Sequence, residues 1–207
     1  MKKAAIALIA LGALGAAQAA GGLKAGLWES RPVRMTVDGK DMLPQMRQAD
    51  EQMRAMVARM TPEQRKQVGG ALGNRGAEPL TQRMCISAEM AAREQPLVPR
   101  PPGADCEQPK FEREGNRTRF ELACTPRGGG TLTGKGETTV AGDLVTTRLD
   151  STRTDKAGAR QTTSTETRLK WLGADCGDVK PQDQLARQAA AAAAAPASAP
   201  RAPAPRK

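Results

Sequence analysis

The residues best suited to chemistry in this chain are its four cysteines, Cys85, Cys106, Cys124 and Cys176. An even set of cysteines predicts two disulfides in an oxidising compartment. Cys106 and Cys124 lie equally far from Gly115 in a predicted hairpin turn, so the hairpin would place them nearly opposite each other and leave Cys85 to pair with Cys176. The chain has no CxxC pair and no histidine, which argues against a zinc or redox site.

Methionine sulfur is the second distinctive group. Met46, Met53, Met56 and Met60 recur at helical spacing, which predicts an amphipathic Met-rich helix. Thioether sulfur binds copper(I), so a copper site is one interpretation of the cluster. Packing against a core is the interpretation that we favour, and adaptation to the apolar surface of a partner comes next.

Catalytic groups are scarce. The chain has neither histidine nor tyrosine, and its cysteines are expected to be oxidised. Carboxylate pairs such as Glu112 and Glu114 lie near turns, where we expect them to be solvated. Residues 129–135 imitate a phosphate-binding loop, but Gly136 replaces the magnesium-binding Ser or Thr and strand-like residues follow it. We therefore predict a protein that is not an enzyme and uses no cofactor.

The elements that must position these residues are mostly strands. Alternating residues and turn signals predict a first strand that opens at Gly26, followed by Leu80–Ile86, Lys110–Arg113, Thr118–Cys124, Thr131–Val140, Leu144–Thr154 and Gln161–Leu172. Sequential hairpins with one buried face predict an antiparallel meander that forms a curved sheet or a small, lipocalin-like barrel. A β-sandwich is the alternative. The Met-rich helix is inserted after the first strand, within about residues 41–68.

The two ends of the chain differ from the domain between them. Residues 1–19 combine two lysines, a short apolar run and an Ala-x-Ala end, which predicts a cleaved signal peptide and a periplasmic location. Residues 20–179 form the predicted β domain. Residues 180–207 contain an alanine run that can form a short helix, and we expect this segment to be a disordered basic tail. No later segment has the roughly 20 apolar residues of a membrane helix.

Net charge narrows the choice of partners. The formal charge is +10, or +8 without Lys2 and Lys3. Export makes nucleic acid an unexpected partner, so we expect the positive field to meet an anionic envelope surface.

Two binding functions fit these observations. In the first, a curved sheet with a Thr-lined interior holds a small amphipathic or lipid-like ligand. The large aromatic residues Trp28, Trp171, Phe111 and Phe120 would then line this pocket, although they would serve equally as core. In the second, the chain is an envelope-associated interaction protein that uses the Met-rich helix and the basic tail. We place small-ligand binding first.

Several short motifs resemble one known family. In chain order they are Gly26-Leu27-Trp28-Glu29, Met84-Cys85-Ile86-Ser87, Asp105-Cys106, Gly128-Gly129-Gly130-Thr131-Leu132-Thr133-Gly134 and Asp175-Cys176. Together they resemble the domain of unknown function 3617 family, small exported bacterial proteins without an assigned activity, over roughly residues 23–179. The resemblance implies a periplasmic location and supports paired cysteines. It carries over no catalytic or ligand-binding residue.

Overall fold

An antiparallel sheet dominates the computed structural model of the protein, which describes residues 22–65, 74–93 and 104–194. Its strands are β1 (Gly26–Val37), β2 (Lys40–Asp41), β3 (Gln82–Ile86), β4 (Ala104–Cys106), β5 (Lys110–Glu114), β6 (Arg117–Pro126), β7 (Thr131–Ala141), β8 (Leu144–Thr154) and β9 (Arg160–Gly173). The helices are α1 (Leu43–Ala58), α2 (Ala88–Ala92) and α3 (Gln182–Ala194).

The sheet is built on a meander of long strands. Strands β6 to β9 follow one another, and β1 pairs with β9 to extend them. The outer edge of β1 carries β3 at one end and β2 at the other, and β5 and β4 divide the outer edge of β6 in the same way. Among the described residues no ladder joins the two outer edges, so the predicted curved sheet is confirmed in its open form. These strands neither close into a barrel nor separate into the two sheets of a sandwich.

Turn chemistry sets the strand ends. Gly115 (φ 60°) joins β5 to β6 and Gly142 (φ 62°) joins β7 to β8, in a left-handed conformation that glycine adopts without Cβ strain. Strand β8 begins and ends at its predicted residues. The segment that imitates a phosphate loop runs into β7, as its strand-like residues predict, and not into a helix.

Strand β1 contains an irregularity that the alternating pattern did not predict. Its pairing with β9 skips Val33, between Pro32 and Arg34. Proline has no N–H to give to a ladder and is therefore typical of bulges and edges. The bulge removes Val33 from the predicted alternation, whereas Met35 and Val37 stay paired with β9.

The core lies on one face of the sheet, in two clusters of buried side chains. The first contains Trp28, Ile86, Val145 and Leu169, and the second contains Phe120, Leu122 and Cys124. The indole N–H of Trp28 donates to the carbonyl of Lys24 (2.9 Å), and that of Trp171, its neighbour on β9, donates to the carbonyl of Ala25 (3.1 Å). Both indoles therefore hold the segment before β1 against the end of the sheet.

Both predicted disulfides are present. Cys85 on β3 bonds to Cys176, beyond the end of β9, and Cys106 on β4 bonds to Cys124 directly opposite it on β6. The first spans 91 residues of sequence and the second spans 18. One bond thus ties the end of the domain to its middle, while the other holds the short strand β4 in register.

Helix α1 is the predicted insertion after the first strand. The Asp41 carboxylate accepts from the Leu43 N–H (2.9 Å) at its start. Met46 and Asp50 line a cavity with Pro32, so α1 lies beside β1 on the core face. Residues 62–65 are also helical and lie within the predicted range of the insertion, about residues 41–68. The rest of that prediction, residues 66–68, lies outside the described residues.

The alanine run of the C-terminal segment forms α3. Arg187 on α3 makes ion pairs with Asp183 (3.0 Å) and with Glu89 on α2 (3.7 Å). Residues 182–194, which composition placed in the tail, are therefore helical and contact the domain. The predicted signal peptide, residues 1–19, and the tail from residue 195 lie outside the described residues. None of the helices in the described ranges has the length and apolar character needed to cross a bilayer.

Candidate ligand-binding groove

A groove of about 800 Å³ crosses the sheet on the face opposite the core. It runs from the connection between β4 and β5, over β6, β7, β8 and β9, to Thr36 on β1. Side chains alternate between the two faces of a strand. Thr163 is paired with Val37 on the core side, so its neighbours Thr162 and Ser164 belong to the groove side.

Two rows of cross-strand neighbours form the floor. The first row, from β5 to β1, is Lys110, Glu121, Lys135, Asp150, Ser164 and Thr36. The second row, from β6 to β9, is Ala123, Thr133, Thr152 and Thr162. Neighbouring strands lie about 4.8 Å apart, so the first row is about 19 Å long between β6 and β1. The floor is therefore long and narrow, and its long axis crosses the strands.

The floor is ionic at its β5 end. Lys135 Nζ donates to Glu121 Oε1 at 2.6 Å. This hydrogen bond lowers the pKa of Glu121 and raises the pKa of Lys135. Asp150 follows Lys135 in the row, and its side chain has no hydrogen-bond or ion-pair partner among the described residues. Asp150 is thus the carboxylate that this floor leaves available.

Hydroxyl groups dominate the other end of the floor. The Ser164 hydroxyl accepts from Arg34 (2.9 Å), and the Thr162 hydroxyl donates to Asp38 Oδ1 (3.1 Å). The Thr152 hydroxyl has no partner within the described part of the chain. Two of these hydroxyls are therefore oriented by neighbouring side chains, and the third can donate or accept.

A ladder of alternating charges lies beside the groove, on the same face of the sheet but outside the groove lining. From β5 to β1 it contains Glu112, Arg119, Glu137, Arg148, Glu166 and Arg34. Arg148 Nε donates to Glu166 Oε2 at 3.0 Å, and this bond is the main cause of the lowered pKa of Glu166. Moving β6 by two residues against β7 would place Glu121 opposite Glu137, or Arg119 opposite Lys135. Since like charges opposite each other are destabilising, this ladder favours the observed register.

The β4 disulfide supports the rim of the groove. Glu107 follows Cys106, lines the groove, and donates its N–H to the carbonyl of Ala123 (2.9 Å). A smaller cavity of about 360 Å³ shares Glu107 and Ala123 with the groove and contains Cys106 and Cys124 in its wall. Loss of this disulfide would therefore free one end of the groove.

The predicted aromatic contacts lie elsewhere. Trp28 and Phe120 are core residues, 0% and 2% exposed. Trp171 is half-buried beside Trp28, with Lys24 Nζ 4.9 Å from its ring centre, and Phe111 is 37% exposed opposite Phe120 on the edge strand β5. None of the four lines the groove.

The predicted methionine contacts are divided between packing and solvent. Met46 lines a cavity of about 230 Å³ beside β1. Met53 and Met56 are exposed on α1, at 39% and 57%, and Met60 is half-buried beyond the end of the helix. The stripe therefore packs at its first methionine and faces solvent over the next two.

A second polar cluster joins α1 to residues 74–81. Asp50 accepts from Arg54 (2.6 Å), from Arg75 (2.9 Å) and from the Leu80 N–H (3.2 Å). Arg54 also donates to the carbonyls of Gly76, Ala77 and Glu78. Burial would raise the pKa of Asp50, but these hydrogen bonds and the two positive charges outweigh burial and lower it. Because these groups satisfy one another's hydrogen bonds, the cluster anchors α1 to residues 74–81.

A family model matches residues 23–176, and its description is protein of unknown function (DUF3617). The chain belongs to this family. The DUF3617 match contains every strand of the described sheet and all four cysteines, whereas α3 lies outside it. The resemblance seen in the motifs is thus confirmed. No curated protein and no solved structure matches the chain.

Sequence reasoning missed the groove in this DUF3617 domain. The pattern shows which residues share a face but not which face carries a groove, and the aromatic residues predicted as contacts lie on the apolar face. A signal was present in the charges of consecutive strands. On β7 and β8, Lys135 pairs with Asp150 and Glu137 pairs with Arg148, so each pair joins opposite charges. Opposite charges meet in this way only because the chain reverses its direction in a hairpin turn between the two strands. Such alternation of positive and negative charge across paired strands indicates that polar contacts organise this face of the sheet.

Proposed function

We propose that this chain is a non-enzymatic binding module for a small polar ligand, which it holds in the groove on the polar face. The observation that carries the proposal is the groove of about 800 Å³, whose floor leaves the Asp150 carboxylate without a partner among the described residues. Small-molecule sites are typically cavities of this order, with a few polar groups held by a rigid scaffold. Here five paired strands supply the scaffold.

From the sequence we predict a small ligand that is amphipathic or lipid-like. The residues that line the groove narrow this class of ligand. Threonine methyl groups offer some apolar surface. The largest apolar residue of the lining is Leu122, which is 8% exposed. Since an acyl chain gains its affinity from apolar area, this floor gives it little to bury. The proposal is therefore a ligand held mainly by hydrogen bonds.

Catalysis is not part of the proposal. A general acid or base works best when its pKa lies near the working pH. The bond between Glu121 and Lys135 moves both pKa values away from that range, because it lowers the pKa of Glu121 and raises the pKa of Lys135. The pair therefore favours a fixed ion pair over proton transfer.

We place this function in the periplasm. The predicted signal peptide supports that location, and disulfides are typical of exported proteins. The alternative, an envelope-associated interaction protein, draws on the exposed Met53 and Met56 and on the predicted basic tail. Copper(I) binding has less support, because Met46 lies about 15 Å along the helix from Met56 and so cannot complete a site with Met53 and Met56.

Native mass spectrometry tests the proposal. Thr152→Trp would fill the groove, and Thr146→Trp places the same ring on the same strand and face, outside the lining. After incubation with periplasmic extract, we expect a dissociable small-molecule adduct on the wild type and on Thr146→Trp, and none on Thr152→Trp. An adduct that all three proteins keep, or that none of them carries, would overturn the proposal.

A further inference from the structure

We infer that the ligand is a neutral saccharide, recognised at the hydroxyl end of the groove by Asp150, Thr152, Thr162 and Ser164. The inference rests on the proposed function, because it names the ligand class of the same groove. Three properties of these four groups support it: the sense of their hydrogen bonds, their spacing and their charge.

The hydrogen-bonding sense of each group is already set. Ser164 accepts from Arg34, so its hydroxyl hydrogen is left to donate to a ligand. Thr162 donates to Asp38, so its oxygen is left to accept. Asp150 only accepts when ionised, and Thr152 can do either. A sugar hydroxyl donates and accepts at one oxygen, so neighbouring sugar hydroxyls can satisfy this mixed set.

The spacing fits one sugar ring. Asp150 lies opposite Ser164, and Thr152 lies opposite Thr162. Neighbouring strands are about 4.8 Å apart, and residues two apart along a strand are about 6.8 Å apart. The four groups thus occupy the corners of a rectangle of about 5 by 7 Å, comparable with a pyranose ring and its hydroxyl oxygens. Threonine is β-branched and has restricted χ1 rotamers, so two corners are largely pre-organised.

The charges disfavour ionic ligands. The groove lining carries three carboxylates, on Glu107, Glu121 and Asp150, against two lysines, Lys110 and Lys135, so its net negative charge disfavours a phosphate or a free carboxylate. A small cation that approaches Asp150 would meet Lys135 beside it, which repels the cation. A neutral polyhydroxyl ligand avoids both penalties and can donate two hydrogen bonds to Asp150.

The shape of the floor should make the affinity depend on the length of the saccharide. Among the described residues no aromatic side chain lines the groove for a sugar ring to stack on, so a single ring should bind weakly. The same two rows continue past the rectangle to Lys135 and Thr133. A linear oligosaccharide lying across the strands would meet further polar groups, and we expect a tetrasaccharide to bind at least 10-fold more tightly than the matching monosaccharide.

NMR titration of the full chain tests the inference, with maltotetraose, cellotetraose and tetra-N-acetylchitotetraose as neutral probes and inorganic phosphate as the ionic comparison. We expect at least one tetrasaccharide to shift the amide signals of Asp150, Thr152 and Ser164 without shifting those of the core face, and phosphate to leave them in place. Thr152→Val and Asp150→Asn should each weaken that binding at least 3-fold. Thr146→Val, on the same strand and face but outside the lining, should not change it.

Two results would overturn the inference, and they separate it from the proposed function. If no tetrasaccharide shifts these amides while native mass spectrometry still finds a groove-dependent adduct, the ligand is not a saccharide and the binding function stands. If that adduct is absent as well, both fail. Equal weakening by Thr152→Val and Thr146→Val would also overturn the inference, because the rectangle would then play no specific part.

Discussion

Phe120 lies directly opposite Gly136 in the β6–β7 ladder, and its ring occupies the space that a side chain on Gly136 would need. A Cβ at Gly136 would lie 2.3 Å from Phe120 Cζ and 2.6 Å from the carbonyl oxygen of Arg148. The ring is buried and the carbonyl belongs to the β7–β8 ladder, so neither can move away freely. Gly136 stands where a phosphate loop has Ser or Thr, and its lack of a side chain leaves space for the Phe120 ring in the core.

We predict that Gly136→Ala lowers the free energy of unfolding by about 1–3 kcal/mol, the usual cost of overpacking a core. Urea unfolding followed by tryptophan fluorescence measures it. Gly173→Ala is the matched control, since a Cβ there meets nothing within 4 Å. Equal effects of the two substitutions would contradict the steric account.

The long strands could be predicted from the sequence because their ends depend on local chemistry. Turn residues bound each hairpin, and β8 ends at Thr154 as predicted. The short strands β2 and β4 escaped prediction because two or three residues show no period. The bulge at Val33 was not predicted for another reason. Its position depends on the pairing of β1 with β9, and the pattern of one strand contains no information on that pairing.

The groove could not be predicted because it depends on the curvature of several strands together. Alternation along a strand is enough to place Thr163 and Ser164 on opposite faces of the sheet. It does not show which face forms a groove. The prediction takes the aromatic residues as ligand contacts, but Trp28 and Phe120 are buried in the core face. Burial, which only the assembled sheet decides, separates a core aromatic from a ligand contact.

The two disulfides should contribute unequally to stability. In the chain-entropy model, a loop of 91 residues corresponds to about 4.5 kcal/mol and one of 18 residues to about 3 kcal/mol. We therefore predict that Cys85→Ala with Cys176→Ala destabilises the fold more than Cys106→Ala with Cys124→Ala. Urea unfolding of the two double variants measures the difference, and the reverse order would contradict the prediction.

Arg54 should control the local stability of α1. Its guanidinium bonds to Asp50 and to three carbonyls of residues 76–78. Arg54→Ala removes these bonds and leaves the half-buried Asp50 with one fewer cation, so we expect amide hydrogen exchange within α1 to accelerate at least 10-fold. Arg47→Ala, an exposed position of the same helix without a side-chain partner among the described residues, is the control. Similar acceleration in both variants would mean that helix propensity, and not the Arg54 cluster, sets the exchange rate.

Asp50 should also make stability depend on pH in the acid range. Its pKa in the folded chain lies below the ordinary value of 3.8, so the ionised form stabilises the fold at higher pH and this contribution is lost as the pH falls through the folded pKa. Asp50→Asn removes hydrogen bonds to a charged group, for which we expect a loss of about 2 kcal/mol, or roughly 4–8 °C in Tm, at pH 6. The difference from wild type should begin to shrink as the pH falls below about 3.8, where the unfolded chain binds a proton first, and it should be lost once the pH is below the lowered pKa of folded Asp50. Thermal unfolding between pH 2 and 6 measures this, with Glu51→Gln, an exposed carboxylate of the same helix, as the control. A difference that stays constant down to pH 2 would show that Asp50 acts by shape and hydrogen bonding, and not through its charge.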